Sequence, residues 1–419
     1  MRTCRQWLSA AKGPKDSLLV NIAHERTDAA SAAAAASLYA EFPGRISVTP
    51  HDGTTKISAF NALPKVEWDI VALIAEDYEN PVPGWDEVLR RDMLKNYPAC
   101  DGFLHYWDGY TGAEKLCTHP VLGVNYFKRF GFIHNPDYAG SWSDNESTEL
   151  ATILGKRHYC NKPIAIHNWV GKNPDAICKA DLPLFHRDKP IYESRKARGF
   201  DLPIPDLSIL IPTLESRDKT FRRISTELYR QIFMLPGDSH WRVELRYLKD
   251  NKELPVGQKR QALLEAARGK YICFVDDDDD VNPDYVGDIL YALSSYRRTH
   301  SADPDCIVFA GLYSHDGVIH GNFDYDLVHK KNQNLPRRFL RIPNHLCPVR
   351  AAISRSVGFA PLTHGEDTKY AEGIYPQIKT QAVVVDACGV KKSLYHYKFS
   401  TTGTETQKFR YQTREALRA

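Results

Sequence analysis

Tyr271-Ile-Cys-Phe-Val-Asp-Asp-Asp-Asp-Asp280, followed by Val281-Asn282-Pro283, decides the fold class. A continuous apolar run of this length reads as a strand buried on both faces, as in a parallel sheet. The acids then stand at its C-terminal end, where open α/β sheets bind ligands. Two charges ~4 Å apart cost about 4 kcal/mol even at an effective dielectric of ~20. A divalent cation that also holds phosphate oxygens is the usual offset. An EF-hand is excluded: counted from Asp276, Val281 and Gly287 occupy the positions that need Gly and Glu.

The flanking pattern extends this reading. Leu207–Thr213 is a predicted strand and Thr220–Met234 a helix. Trp241–Leu248 is a strand ending near Lys249-Asp250-Asn251. Gly257–Arg268 is a helix with Leu263, Leu264, Ala266 and Ala267 facing the core and Gly269 as its stop. A helix over Pro283–Tyr296 follows the acids. Strand, helix, strand, helix, strand predicts an α/β fold with a mostly parallel sheet.

The first half repeats the order loosely. Strands are expected at Ser17–Ile22, Arg45–Thr49 and Asp69–Ala75, helices at Thr27–Ala40, Thr55–Leu63 and from Trp85 to Leu94. The predicted organisation is a first domain over 1–185, a charged, proline-containing linker over 186–205, a second domain over 206–400 and a polar tail over 401–419.

Bulk properties fit a globular protein: 419 residues, 42% hydrophobic, 26% charged, net charge +3. Nine cysteines are scattered with no Cys-x-x-Cys pair, which predicts free thiols and a cytoplasmic location. The N-terminal residues lack the apolar core of a secretory leader, and no apolar run reaches the length of a membrane span. The pattern selects no oligomeric state.

With these residues in view, Leu207 to Phe399, about half the chain, resembles the family 2 glycosyltransferases of the GT-A fold. Five motifs in order carry the likeness: Ile211-Pro212-Thr213, Asp250, Gly257-Gln-Lys-Arg260 with Ala262 and Ala266, the acid segment with Pro283, and Gly365-Glu366-Asp367. Gln261 stands where that family usually has Asn. The first half resembles the same superfamily in diverged form, near bacterial and phage transferases. Gly53-Thr54 to Asn61, Ala75-Glu76-Asp77-Tyr78 with Gly84-Trp85-Asp86, and Tyr138 to Glu146 carry that likeness. The resemblance thus implies two tandem GT-A-like domains. The first is either a second site, with Glu76, Asp77, Asp144 and Glu146, or a structural or acceptor-binding copy.

The resemblance implies metal-dependent, inverting transfer of a sugar from a nucleotide-diphosphate donor, a UDP-sugar foremost, to an acceptor hydroxyl. Asp276 would meet the ribose or nucleotide and Asp278 the metal, Mn²⁺ or Mg²⁺, with Asp277 and Asp279 as second choices. Pro212, Thr213 and Glu215 would lie over the nucleoside. Asp250 would bond the base, Arg260 the base or a phosphate. Asp367 would take the acceptor proton, with Glu366 beside it. His396 would close over the pyrophosphate or ligate the metal, and His364 would tune the acid pair. Trp85, Trp107, Trp142 and Trp169 are core residues or stacking platforms.

The segment Asn322–Asn344, with His329, Lys330, Lys331, Arg337, Arg338 and Arg341, is expected as a basic acceptor-side loop. The acceptor is then a glycan or a hydroxyl-bearing nucleic-acid base, the latter flipped from its duplex as in phage-type DNA glycosylation. A non-catalytic sugar- or nucleic-acid-binding protein with decayed domains is the alternative of a different class. A nucleotidyltransferase would need a glycine-rich phosphate loop, which Ile211-Pro-Thr-Leu-Glu-Ser216 does not supply.

Overall fold

In the computed structural model, which describes residues 2–109, 112–168 and 176–401, the apolar run becomes the strand Tyr271–Phe274 inside a six-stranded sheet. Its neighbours run Val243–Asp250, Leu207–Leu214, Tyr271–Phe274, Val349–Arg350, Cys306–Val308, Gln381–Val383. The first three are parallel, the last two are parallel, and Val349–Arg350 is antiparallel to both its neighbours. Leu207, Ile209, Leu210, Ile211, Cys273 and Val275 have no exposure at all. Burial on both faces is why these strands are continuously apolar.

The helices Asp218–Phe233, Val256–Ala266 and Tyr285–His300 separate or follow the strands in the predicted order. Leu263, Leu264 and Ala267 are buried as expected, but Ala266 falls on the solvent side of the last turn. Asn322–Asn344 is not a loop. The strands Val318–Tyr325, Arg338–Arg341 and Gln333–Leu335 extend a second six-stranded sheet that begins with Asp280–Val281, Ser393–Phe399 and Ala310–His315. Of its basic side chains, Arg338 and Arg341 sit on the strand Arg338–Arg341, where ladder hydrogen bonds fix the backbone, and His329, Lys330, Lys331 and Arg337 lie in the turns between the strands.

Contacts divide the chain into two compact units between Leu202 and Pro203. The expected linker is a correction. Residues 186–197 belong to the helix Ala176–Ala197, despite Pro183 and Pro190. Asp188 in that helix is fully buried and accepts the backbone amides of Ala139, Gly140 and Ser141, so the segment is part of the first unit.

In the first unit, Val20–Glu25 and Ile46–His51 form a parallel pair. A separate four-stranded sheet runs Ile70–Ala72, Val121–Gly123, Phe103–Tyr106, Arg157–Cys160. Tyr78–Glu79 pairs with Ile166–His167. The helices Ala29–Glu41, Lys56–Asn61 and Trp85–Asn96 lie close to their expected spans. The strand–helix alternation is therefore present, yet the described strands fall into sheets of two, four and two strands, where the second unit has two sheets of six. Trp85 is core, and its indole donates to the Trp7 carbonyl; Trp142 stacks on Tyr192. Trp169 lies outside the described residues, as does the tail beyond Thr401. The described cysteines are free thiols, and no described helix is long and apolar enough to cross a membrane.

Candidate active site

The acids of the second unit open onto a cavity of about 950 Å³. Each carboxylate has a different environment. Asp276 accepts Arg260 Nη2 at 2.9 Å, and His345 Nε2 lies 3.9 Å away. Burial pushes its carboxyl upward, but the charge of Arg260, then His345 and Arg217, outweighs burial and holds it well below the usual range. Asp277 is buried, accepting Thr213 Oγ1 at 2.5 Å and Arg217 Nη1 at 2.7 Å. Burial nevertheless keeps its pKa above normal. Asp279 is fully buried, receiving the Tyr395 hydroxyl at 2.8 Å and the Lys398 amide at 2.7 Å. Asp280 pairs with Lys398 and Arg223.

Asp278 differs from the rest. Its side chain is 30% exposed, it lines the cavity, and Arg217 Nη1 is 3.2 Å away. Burial, opposed by Arg217 and reinforced by the charges of Asp276 and Asp277, pushes its pKa up to about 6. A carboxylate so placed has the most to gain from a second positive charge. The donor set is oxygen only and is incomplete within the protein. That fits Mg²⁺ or Mn²⁺, which are held by one or two carboxylates together with substrate phosphates.

Glu366 and Asp367 border the same cavity, in the first turn of the helix Glu366–Ile374. Gly365 precedes it in the left-handed region at φ +79°, a conformation that favours glycine. Two residues of the Gly257 motif hold this turn in place. A Cβ on Gly257 would lie 2.0 Å from the Ala360 carbonyl oxygen, and the Gly257 amide donates to the Leu362 carbonyl. Gln261, in place of the family's Asn, accepts the Phe359 amide at 2.8 Å. Glu366 is buried, which raises its pKa against the charge of Arg260, whose Nε is 3.8 Å away.

Arg260 therefore stands between the two acid sets, packed over the Phe274 ring. It is 5% exposed, and its Nε and Nη1 have no hydrogen-bond partner; the same holds for both ring nitrogens of the equally buried His345. Buried polar groups without partners cost about 1–3 kcal/mol each. Both side chains line the cavity, so an anionic ligand there would satisfy them.

Pro212 and Thr213 line the cavity as the sequence implied, and so does His364. Glu215 does not: it is exposed in the turn Glu215–Arg217. Asp250 is also outside the lining, tied to Lys259 Nζ and the Leu254 amide; Lys259 is the residue that borders the space. His396 is a further correction. Strand alternation turns Tyr395 and Tyr397 toward the acid side, while His396 Nε2 meets Ser314 Oγ at 2.8 Å and stays out of the lining.

Arg217, His345, Tyr397 and Lys398 were not singled out from sequence. His345 arrives through a backbone bond from the Phe274 amide to its carbonyl, across 71 positions, and carries no local signal. Arg217 had one: a cation in the turn right after the first strand.

In the first unit the four expected acids have separate roles. Glu76 is exposed. Glu146 is buried and structural, accepting Asn135 Nδ2, the Tyr138 hydroxyl and Arg195. Asp144, at the start of the helix Ser143–Ile153, has its pKa raised by burial. Asp77 faces His167 at 3.2 Å.

No protein-family model matches the sequence, and no curated protein matches it. Solved structures that share some likeness include S. aureus TarS residues 1–349, at 18% identity and TM-score 0.32, over 46% of this chain and 60% of that one. The same fragment in complex with UDP-GlcNAc gives 17%, 0.31, 46% and 58%, and in complex with UDP 17%, 0.31, 47% and 61%. The match thus spans less than two thirds of the TarS fragment, and at such scores the likeness has no weight for function.

Proposed function

We propose that the second unit is a metal-assisted, inverting glycosyltransferase that moves a hexosyl or pentosyl group from a nucleoside-diphosphate sugar, a UDP-sugar foremost, to a hydroxyl. One observation carries the reading: two acid sets, Asp276 to Asp278 and Glu366 with Asp367, border one cavity and share buried Arg260, whose remaining donors lack partners. The spare donors of Arg260 and His345 suit phosphate oxygens. Asp278 would hold Mg²⁺ or Mn²⁺, which supplies neutralising charge to a diphosphate. Asp367 takes the proton of the acceptor hydroxyl. The freed oxygen forms a bond to the anomeric carbon, the bond to the phosphate oxygen breaks, and its electron pair leaves with the diphosphate. One displacement on one face inverts the configuration.

The exposed cations Lys330, Lys331, Arg337 and Arg338 lie on a segment whose Asn332, Asn334 and Arg341 line the cavity. They favour a phosphorylated or nucleic-acid acceptor, including a hydroxylated base, over a neutral glycan. Binding of such an acceptor should weaken steeply with salt. Free thiols suit a cytoplasmic setting.

The test is turnover of a panel of nucleotide sugars with Mn²⁺, on wild type and Asp278→Ala. Metal-dependent consumption of one donor, lost in the variant, is expected. Equal turnover in the variant would remove this site from the chemistry. Donor binding without turnover would favour the non-catalytic alternative.

A further inference from the structure

The described residues hold one group of three or more His, Cys, Asp or Glu side chains gathered as metal ligands, and it is not the acid run. Asp77, His119 and His167 of the first unit each offer a ligand atom, all within 4.8 Å of one another. We propose that they form a transition-metal site, separate from the oxygen-only site of the second unit and of different metal preference.

The surroundings of the two imidazoles argue for ligation. His119 Nδ1 meets Thr118 Oγ1 at 2.9 Å, and that hydroxyl donates to Asp108 Oδ2 at 3.3 Å. A hydroxyl whose proton is spent on Asp108 accepts from His119, so His119 carries its proton on Nδ1 and keeps the Nε2 lone pair. His167 turns Nε2 to Asp77 and Nδ1 to Asp108 Oδ2 at 3.6 Å. Both rings thus direct their second nitrogen to one buried carboxylate, His167 directly and His119 through Thr118. Ligating histidines are oriented in this way by outer carboxylates, which fix tautomer and ring angle.

The backbone holds the set rigid. Tyr78, next to Asp77, pairs in register with His167. The His167 amide donates to the Asp108 carbonyl at 2.9 Å, and Asn168 donates to the Asp77 carbonyl at 2.8 Å. Tyr78 stacks on His119 with ring centroids 4.0 Å apart. Two imidazoles and one carboxylate favour Zn²⁺, Fe²⁺ or Co²⁺ over Mg²⁺ or Ca²⁺, which seek oxygen. The Asp77 side chain is 38% exposed while that of His167 is 14% exposed. The set is therefore open on the Asp77 side, which leaves room for water or a ligand as a further donor.

The experiment is calorimetric titration of chelator-stripped full-length protein with Zn²⁺, with visible absorption of the Co²⁺ form as a second readout. One saturable equivalent of Zn²⁺ and a Co²⁺ d–d band are expected, undisturbed by excess Mg²⁺. His119→Gln and His167→Gln should abolish both, and Asp108→Asn should weaken affinity by about 10–100-fold. Because His119 is buried, Asp77→Asn, at a half-exposed position, gives an independent loss without risk to the core. Asp278→Asn should leave the signal intact. Absence of saturable Zn²⁺ binding, meaning that His167 only bridges two carboxylates, would overturn the proposal. So would binding that survives in folded His119→Gln and Asp77→Asn, or that disappears in Asp278→Asn.

Discussion

The two units treat an acid that follows an apolar strand in opposite ways. In the second unit, Asp276 to Asp280 are each met by arginine, lysine, tyrosine or threonine, and Asp278 alone combines a raised pKa with a partly open face. In the first, Asp77 is met by histidine. The same local pattern, an apolar strand ending in carboxylate, thus meets cations and hydroxyls in one unit and imidazole in the other. The base-like regions diverge as well. Asp367 borders an open cavity, whereas Glu146 is sealed under Arg195, Tyr138 and Asn135. Likeness of motif therefore fixes where an acid stands and leaves its partners, and so its chemistry, to the rest of the fold.

Three substitutions and one titration would break or sharpen this contrast. The largest effect is expected at Asp367→Asn, with a fall in kcat of about 10²–10⁴-fold and donor affinity retained. Glu146→Gln should leave turnover alone and lower only the melting temperature. If Asp367→Asn abolished donor binding instead, its role as base would be wrong.

Arg260→Met should come next. It strips the partner from partly buried Asp276 and from buried Glu366, a loss of about 3–5 kcal/mol read by denaturant unfolding. A neutral result would mean that neither acid depends on that guanidinium.

The smallest effect is a pH dependence. Asp278 titrates near 6 in the folded chain, above its ordinary value of 3.8. Its contribution to stability without cation is fully present below about pH 4 and is lost as pH rises through about 6. Cation binding has the opposite slope, because protons compete for the carboxylate: Mn²⁺ affinity should rise up to about pH 6 and then level off. A flat profile, measured by calorimetry, would take Asp278 out of the cation site.

Much of the second unit was legible in the sequence because its signals are local. The continuous apolar runs at Leu207–Leu214 and Tyr271–Phe274 have no other stable place than a sheet covered on both faces. Gly257, Gly365 and the Glu366–Asp367 pair are marked by backbone demands a few residues long. The linker was misread because proline and charge suggest exposure, while Asp188 and Tyr192 bury inside the helix Ala176–Ala197. His396 was misread because Tyr-His-Tyr says nothing about which face of the strand meets the acids until the register of Ser393–Phe399 is known.

By itself, then, the sequence determined an α/β chain with an acid-tipped buried strand and a second acidic turn. Those follow from side-chain period and from the repulsion of neighbouring charges. Only the tertiary structure decided which carboxylates are neutralised, that Arg260 and His345 keep donors to spare, and that Asp77 meets two histidines 42 and 90 positions away. Partners so distant in the chain are brought together by packing and sheet register, and these depend on the whole fold at once.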